Sequence, residues 1–215
     1  MKYELVVFDW DGTLIDSAGT IVECIQESAR DMGLEVPPRE RASHVIGLGL
    51  HDSLRFAVPG LAPDQYMEFV TCYRRHFLAR QDRMLLFGGV RELLAELASS
   101  RRLAIATGKS RRGLDRALDA DALRGYFASS RCADETHPKP HPAMLLELME
   151  ELGCAPARTL MVGDTSHDLQ MAHAAGVDAV AVTYGAHPEA GLRACKPLHC
   201  VASVPELKAW LSLNG

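Results

Sequence analysis

No apolar run in the 215-residue chain approaches the ~20 residues that a membrane helix needs. The first apolar stretch, Leu5-Val6-Val7-Phe8, is too short for a signal-peptide core and runs straight into acidic residues. Cytoplasmic residence is therefore the expectation. Positive charge is also short: 23 Lys and Arg face 28 Asp and Glu, a net charge of -5. Such a balance provides no basic field to concentrate nucleic acid or acidic lipid. None of the six cysteines, Cys24, Cys72, Cys132, Cys154, Cys195 and Cys200, forms a CxxC pair. Zinc-ribbon and thioredoxin-like readings lack their spacing, and reduced structural thiols are expected. There is no internal repeat, no low-complexity tract and no heptad or distinctive apolar face to mark an interface, so monomer and homodimer both stay open. What remains, 47% hydrophobic and 24% charged residues, is the composition of an ordinary globular domain, or of one domain carrying a smaller insert.

Four short apolar runs are present: Leu5–Phe8, Leu103–Ala106, Leu160–Val162 and Ala179–Val182. Each is nearly continuous rather than alternating, as strands covered on both faces are. Between them lie helical stripes such as Val90-Leu93-Leu94-Leu97 and Met144-Leu145-Leu148-Leu152. Buried strand alternating with amphipathic helix predicts an α/β fold with a doubly wound parallel sheet. From about Asp16 to Arg83 only helical patterns and turns occur, broken at Gly33, Pro37-Pro38, Gly47, Gly49 and Pro59-Gly60. A helical insert after the first strand is the simplest account. The segment Cys200 to Leu213 offers a short strand and a closing helix.

The densest chemical signal is Asp9-Trp10-Asp11-Gly12-Thr13-Leu14-Ile15-Asp16-Ser17, directly after the first run. Ligands of open α/β sheets bind beyond the carboxyl ends of strands. Two carboxylates two residues apart leave that end, and Gly12 permits the turn that aims both at one point. An acidic turn capping a helix accounts for one Asp but not for the pair. Thr107-Gly108-Lys109-Ser110 follows the second run and precedes a helix beginning near Arg111. A hydroxyl and exposed amides there suit a phosphate cradle, although for the segment read alone a simple Ser cap is the better reading. The letters also match the end of a P-loop, but the first Gly of that motif falls on Leu103, so the P-loop reading fails. His137-Pro138-Lys139-Pro140-His141-Pro142 is a stiff loop presenting one Lys; a solvated Lys on a Pro-rich turn fits the same letters. Gly163-Asp164-Thr165-Ser166-His167-Asp168 adds two carboxylates at a third strand end, with Ser166 able to cap the next helix.

Electrostatics joins these segments. Two like charges ~4 Å apart repel by about 4 kcal/mol at an effective dielectric near 20. Asp9, Asp11 and Asp164, converging on a phosphate dianion, require a hard cation and a fixed ammonium. Mg2+ works with few carboxylates plus substrate oxygens, and Lys139 is the obvious ammonium.

In this order the four segments resemble the haloacid dehalogenase (HAD) superfamily, and within it the phosphatase branch with a helical cap after the first strand. The resemblance spans essentially the whole chain. It implies a catalytic core of residues 1-15 and 84-215 and a cap of residues 16-83. It implies Asp9 as nucleophile, forming an aspartyl-phosphate, and Asp11 as the acid for the leaving oxygen and then the base for water. Mg2+ would be held by the Asp9 carboxylate, the Asp11 carbonyl and the Asp164 carboxylate. Thr107, the Gly108 amide and Lys139 would bind the phosphoryl group. Thr13 would orient the Asp pair, and Asp168 the metal waters or Lys139. Lys109 either touches substrate or points to solvent. The side chain of Trp10 is expected to pack.

Single residues exclude some relatives. Dehalogenases need no acid at the second Asp, which is present here as Asp11. Phosphonate hydrolases use a cap Lys, and no Lys occurs between Lys2 and Lys109. Phosphomutases of the β-phosphoglucomutase type share Asp9, Asp11 and the cap and stay open. The segment from Val45 to Leu54 resembles the substrate-facing cap loop of phosphoglycolate phosphatases. Gly47, Leu48, Gly49, His51 and Arg55 are its contact candidates, with Arg39, Arg41 and His44 as nearby polar groups. The implied substrate is a small phosphorylated metabolite: phosphoglycolate is the best single choice, with nucleotide monophosphates, sugar phosphates and pyrophosphate as alternatives. His137, His141 and His167 flank the motifs, but a carboxylate site for a hard cation already accounts for the region. Hinges are expected near Asp16-Ser17 and Met84–Gly88.

Overall fold

A computed structural model describes residues 2–214. Six strands, β1 (Leu5–Phe8), β2 (Arg102–Thr107), β3 (Ser129–Cys132), β4 (Thr159–Gly163), β5 (Asp178–Val182) and β6 (His199–Val201), form one sheet in the order β3-β2-β1-β4-β5-β6. Every neighbouring pair is parallel. The continuous apolar runs now have their reason. Val6 and Phe8 face one apolar cluster, Leu5 and Val7 the other, so successive residues are buried on opposite faces. Helices α5 (Val90–Ala98), α6 (Arg111–Ala120) and α10 (Val204–Asn214) cover the first face. The second is covered by α7 (Ala143–Leu152), α8 (Ser166–Ala174) and α9 (Glu189–Ala194). This is the doubly wound parallel architecture that the sequence pattern predicts.

β3, with the sequence Ser-Ser-Arg-Cys, lies outside the four predicted runs. It is an edge strand, pairing with β2 alone and buried only at Cys132, so it needs no continuous apolar run. β6 and α10 supply the short strand and closing helix expected at the end of the chain.

Between β1 and α5 lie α1 (Ala18–Asp31), α2 (Arg39–His44), α3 (Leu50–Ala57) and α4 (Tyr66–Leu78). Val22, Ile25, Ile46, Leu54, Phe69 and Val70 give these helices an apolar cluster of their own. The chain enters and leaves this unit side by side: the Asp16 amide donates to Leu85 O at 2.8 Å, and the Phe87 amide to Leu14 O at 3.0 Å. All six thiols are free, four of them buried. Among the described residues no helix is long and apolar enough to cross a membrane.

Candidate active site

β1 lies where the connections reverse, with β2 on one side and β4 on the other, so its carboxyl end opens onto a crevice between diverging loops. The Asp9 amide continues the ladder, donating to Val162 O at 2.9 Å. The chain then turns sharply at Gly12, whose φ is +83°. A Cβ there would lie 2.2 Å from Asp164 Oδ2, so both conformation and space require glycine. Trp10 is fully buried in the cluster beneath the turn, as expected.

Asp9, Asp164 and Asp168 are almost wholly buried, and one oxygen of each lies within 4.8 Å of the others. Lys139, also buried, reaches in from the loop between β3 and α7 with Nζ 2.6 Å from Asp9 Oδ1 and 2.6 Å from Asp168 Oδ1. It is therefore a fixed ammonium and not a solvated turn lysine. Asp164 is oriented through both oxygens: Thr13 Oγ1 donates to Oδ1 at 2.8 Å and the Ala186 amide to Oδ2 at 2.7 Å. Asp168 has a second task. Its Oδ2 accepts from the Thr165 amide at 3.0 Å, and its own amide donates to Thr165 Oγ1 at 3.3 Å, which closes a capping box on α8. The cap of this helix is thus Thr165. Ser166, offered by the sequence for that role, is the first helical residue.

Three carboxylates against one ammonium leave this site short of positive charge. Burial, reinforced by the charges of Asp168 and Asp164 against the pull of Lys139, pushes Asp9 well above the usual carboxylate range. Burial and the Asp168 charge push Asp164 up to about 7, against the Ala186 and Thr13 hydrogen bonds. For Lys139, burial opposes its charge, but Asp168 and Asp9 prevail and hold its pKa above the ordinary value. Asp9 Oδ2 is buried with no hydrogen-bond partner. An unpaired carboxylate oxygen beside two further carboxylates fits a hard divalent cation with oxygen ligands.

Asp11 is held differently. Ser17 Oγ donates to its Oδ1 at 2.7 Å, and Lys109 Nζ lies 2.9 Å from both Oδ1 and Oδ2. Thr107 is fully buried at the end of β2, and its Oγ1 accepts from the Lys109 amide at 3.2 Å. Ser110 caps α6 by accepting from the Gly113 amide, the simpler of its two readings. A Cβ on Gly108 would meet Gly47 O and Leu48 O at 2.6 Å, so the insert's loop rests directly on the strand end. A Cβ on Gly49 would lie 3.4 Å from Pro138 and 3.5 Å from Ala133, an ordinary packing distance. Thus Gly47, Leu48 and Gly49 come to the site.

His51 and Arg55 are both exposed, and His51 packs at a tilt on Tyr66 with ring centroids 5.0 Å apart. Arg39 is exposed as well. His44 contributes its backbone, whose carbonyl accepts from His167 Nε2 at 2.7 Å and His187 Nε2 at 3.1 Å. Those bonds, with the Ser166 amide on His187 Nδ1 at 3.0 Å, account for the histidine cluster as a clasp between α2 and the core. His137 and His141 pack against each other at a tilt, with ring centroids 4.5 Å apart. Sequence reasoning missed Ala186, His187, Tyr184, whose hydroxyl donates to Thr13 O at 3.1 Å, and the α4 aromatics Tyr73 and Phe77. Of these only the α4 pair carried a signal, as aromatics four apart on one helix face.

The family model for haloacid dehalogenase-like hydrolases matches residues 6–182. The chain is 37% identical to the probable phosphatase IndB of Dickeya dadantii over 94% of this chain and 91% of that protein. It is 31% identical to the pyrophosphatase PpaX of Bacillus mycoides over the whole of both. A solved structure described as a predicted phosphoglycolate phosphatase from Haemophilus somnus superposes with a TM-score of 0.88 at 25% identity, covering 100% of this chain and 99% of that one. With the motif residues gathered at one strand end and that match running from β1 to β5, this chain belongs to the haloacid dehalogenase-like hydrolases.

Proposed function

We propose that the chain is a Mg2+-dependent phosphomonoesterase working through an aspartyl-phosphate on Asp9. The observation that carries this reading is the contrast between two carboxylates of one turn: Asp9, buried on Lys139 with one unpaired oxygen, and Asp11, at the cleft with Ser17 and Lys109. Asp9 attacks phosphorus, forming the Asp9 acyl phosphate as the bond to the leaving oxygen breaks. Asp11 gives that oxygen a proton. Asp11 then takes a proton from the water that cleaves the acyl phosphate, releasing inorganic phosphate and restoring Asp9. Thr107 and the Gly108 amide hold the phosphoryl oxygens while Lys139 offsets charge. Asp9, Asp164 and the Asp11 carbonyl would hold Mg2+, whose contribution is to neutralise the carboxylates and polarise a phosphoryl oxygen. Relatives named phosphatase and pyrophosphatase, and a structural neighbour described as a predicted phosphoglycolate phosphatase, support hydrolysis of small phosphorylated molecules, phosphoglycolate and pyrophosphate among them.

The test is inorganic phosphate release from a panel of phosphorylated metabolites with Mg2+. Activity should disappear on chelation and in Asp9→Asn, by at least about 10³-fold for loss of the nucleophile. Undiminished turnover in Asp9→Asn would sink the reading. Phosphorus NMR with hexose 1-phosphates separates hydrolysis from mutase interconversion.

A further inference from the structure

Lys109 carries a charge that the steps above do not use. Its Nζ spans both Asp11 oxygens at 2.9 Å, its side chain is 12% exposed, and it lies 5.0 Å over the ring of Phe77. Ser17 occupies Asp11 Oδ1 as well. Both oxygens are therefore taken, yet a proton donor needs one of them turned to the oxygen that leaves phosphorus. Lys139 cannot supply charge on this side, since it is fully buried between Asp9 and Asp168. Of the insert's candidates, Arg55 is exposed and His51 packs at a tilt on Tyr66. The insert's contribution here is Tyr73 and Phe77, stacked at 5.8 Å. Burial and the Asp11 charge hold the Tyr73 phenol well above its ordinary pKa, so it stays neutral.

One displaceable ammonium among aromatic walls, beside the group that meets the leaving oxygen, favours an anion there. An uncharged leaving group gives Lys109 no reason to release Asp11. An anionic one offers it a new partner and frees Asp11 in the same movement. We propose that Lys109 is a specificity-determining residue that selects phosphate esters and anhydrides whose leaving group bears a second anionic group, a carboxylate or a further phosphate, close to the bridging oxygen. The proposal rests on the phosphatase reading above. Lys109 changes partner without gaining or losing a proton, and the Asp11 carboxylate it releases takes from water the proton that it passes to the leaving oxygen; the other bonds made and broken are those already given.

The experiment compares wild type, Lys109→Met and Lys109→Arg with Mg2+ on 2-phosphoglycolate, inorganic pyrophosphate and para-nitrophenyl phosphate, whose leaving group has no second anion. In Lys109→Met the ratio of kcat/KM for an anionic-tailed probe over para-nitrophenyl phosphate should fall at least about tenfold, mainly through KM, with Lys109→Arg recovering most of it. The two anionic probes separate carboxylate from phosphate recognition. A merely structural lysine lowers all three probes together, and an unchanged ratio overturns the proposal. If wild type releases phosphate from no probe and no wider panel, the phosphatase reading fails by itself. Calorimetry then decides Lys109: Asp9→Asn should bind 2-phosphoglycolate at least about tenfold more tightly than ethyl phosphate and lose that preference with Lys109→Met. Equal affinity for the two ligands overturns the proposal.

Discussion

Removing the Lys139 ammonium leaves Asp9 and Asp168 buried without a cation partner, since both take their ion pair from that one nitrogen. Breaking a buried pair from one side costs about 3–5 kcal/mol. Lys139→Met is therefore expected to lower the urea midpoint by that equivalent as well as to abolish turnover. Lys139→Arg should rescue neither, because a planar guanidinium does not fit a fully buried slot shaped for an ammonium. The carboxylates predict the pH response of the chelated protein. Asp164, raised to about 7 from a usual value of 3.8, binds more protons folded than unfolded between those limits. Stability must then fall as pH rises from about 4 to about 7, by on the order of a few kcal/mol. Mg2+ should flatten that slope, and Asp164→Asn should reduce it while leaving the part that Asp9 contributes with the same sign, with melting temperature as the measurement. A chelated protein that gains stability over this range would contradict the charge accounting of the site.

At the scale of elements, the strands that carry chemistry were legible because they are covered on both faces. β1, β2, β4 and β5 read as apolar runs, and the residue after each of β1 and β4 is a site carboxylate. β3 was invisible because an edge strand buries too little to leave a pattern. Motif letters could announce Asp9, Lys139 and Asp164, since their types and spacing are their chemistry. They could not announce Ala186, which serves the site through a backbone N–H that any residue but proline has. Nor could they rank His51 and Arg55 against Gly47 and Leu48, because facing direction on a short helix depends on how it docks. The Gly108 seat shows what docking demands. With Gly47 O and Leu48 O at 2.6 Å from a hypothetical Cβ, Gly108→Ala must lift the insert's loop off β2. We expect kcat/KM to drop by about tenfold or more while unfolding free energy changes by less than about 1 kcal/mol, because the displaced contact joins two units instead of filling a core. Equal losses in both measurements would show that the loop contact belongs to the core.

The whole molecule is built as two apolar interiors with a polar seam. The insert's cluster is separate from the two that flank the sheet, and Phe77 is packed against the clusters of both units. Much of what holds α2 across the seam is hydrogen bonding: Ser43 Oγ to Ala186 O at 2.7 Å, and the two histidines on His44 O. Each such bond is worth only about 0.5–1.5 kcal/mol net, since water replaces it on opening. The paired crossings at residues 14–16 and 85–87 are bonded to each other, which suits them to the hinge expected near Asp16-Ser17 and Met84–Gly88. Opening is therefore inexpensive compared with unfolding, as substrate entry to a covered site requires. The double variant Ser43→Ala with His167→Phe removes two donors and keeps ring volume. It should speed amide exchange in residues 39–49 by about tenfold or more and raise KM, while exchange in β1 and β4 stays at the wild-type rate. If β1 and β4 accelerate equally, insert and core open as one body and the seam is no hinge.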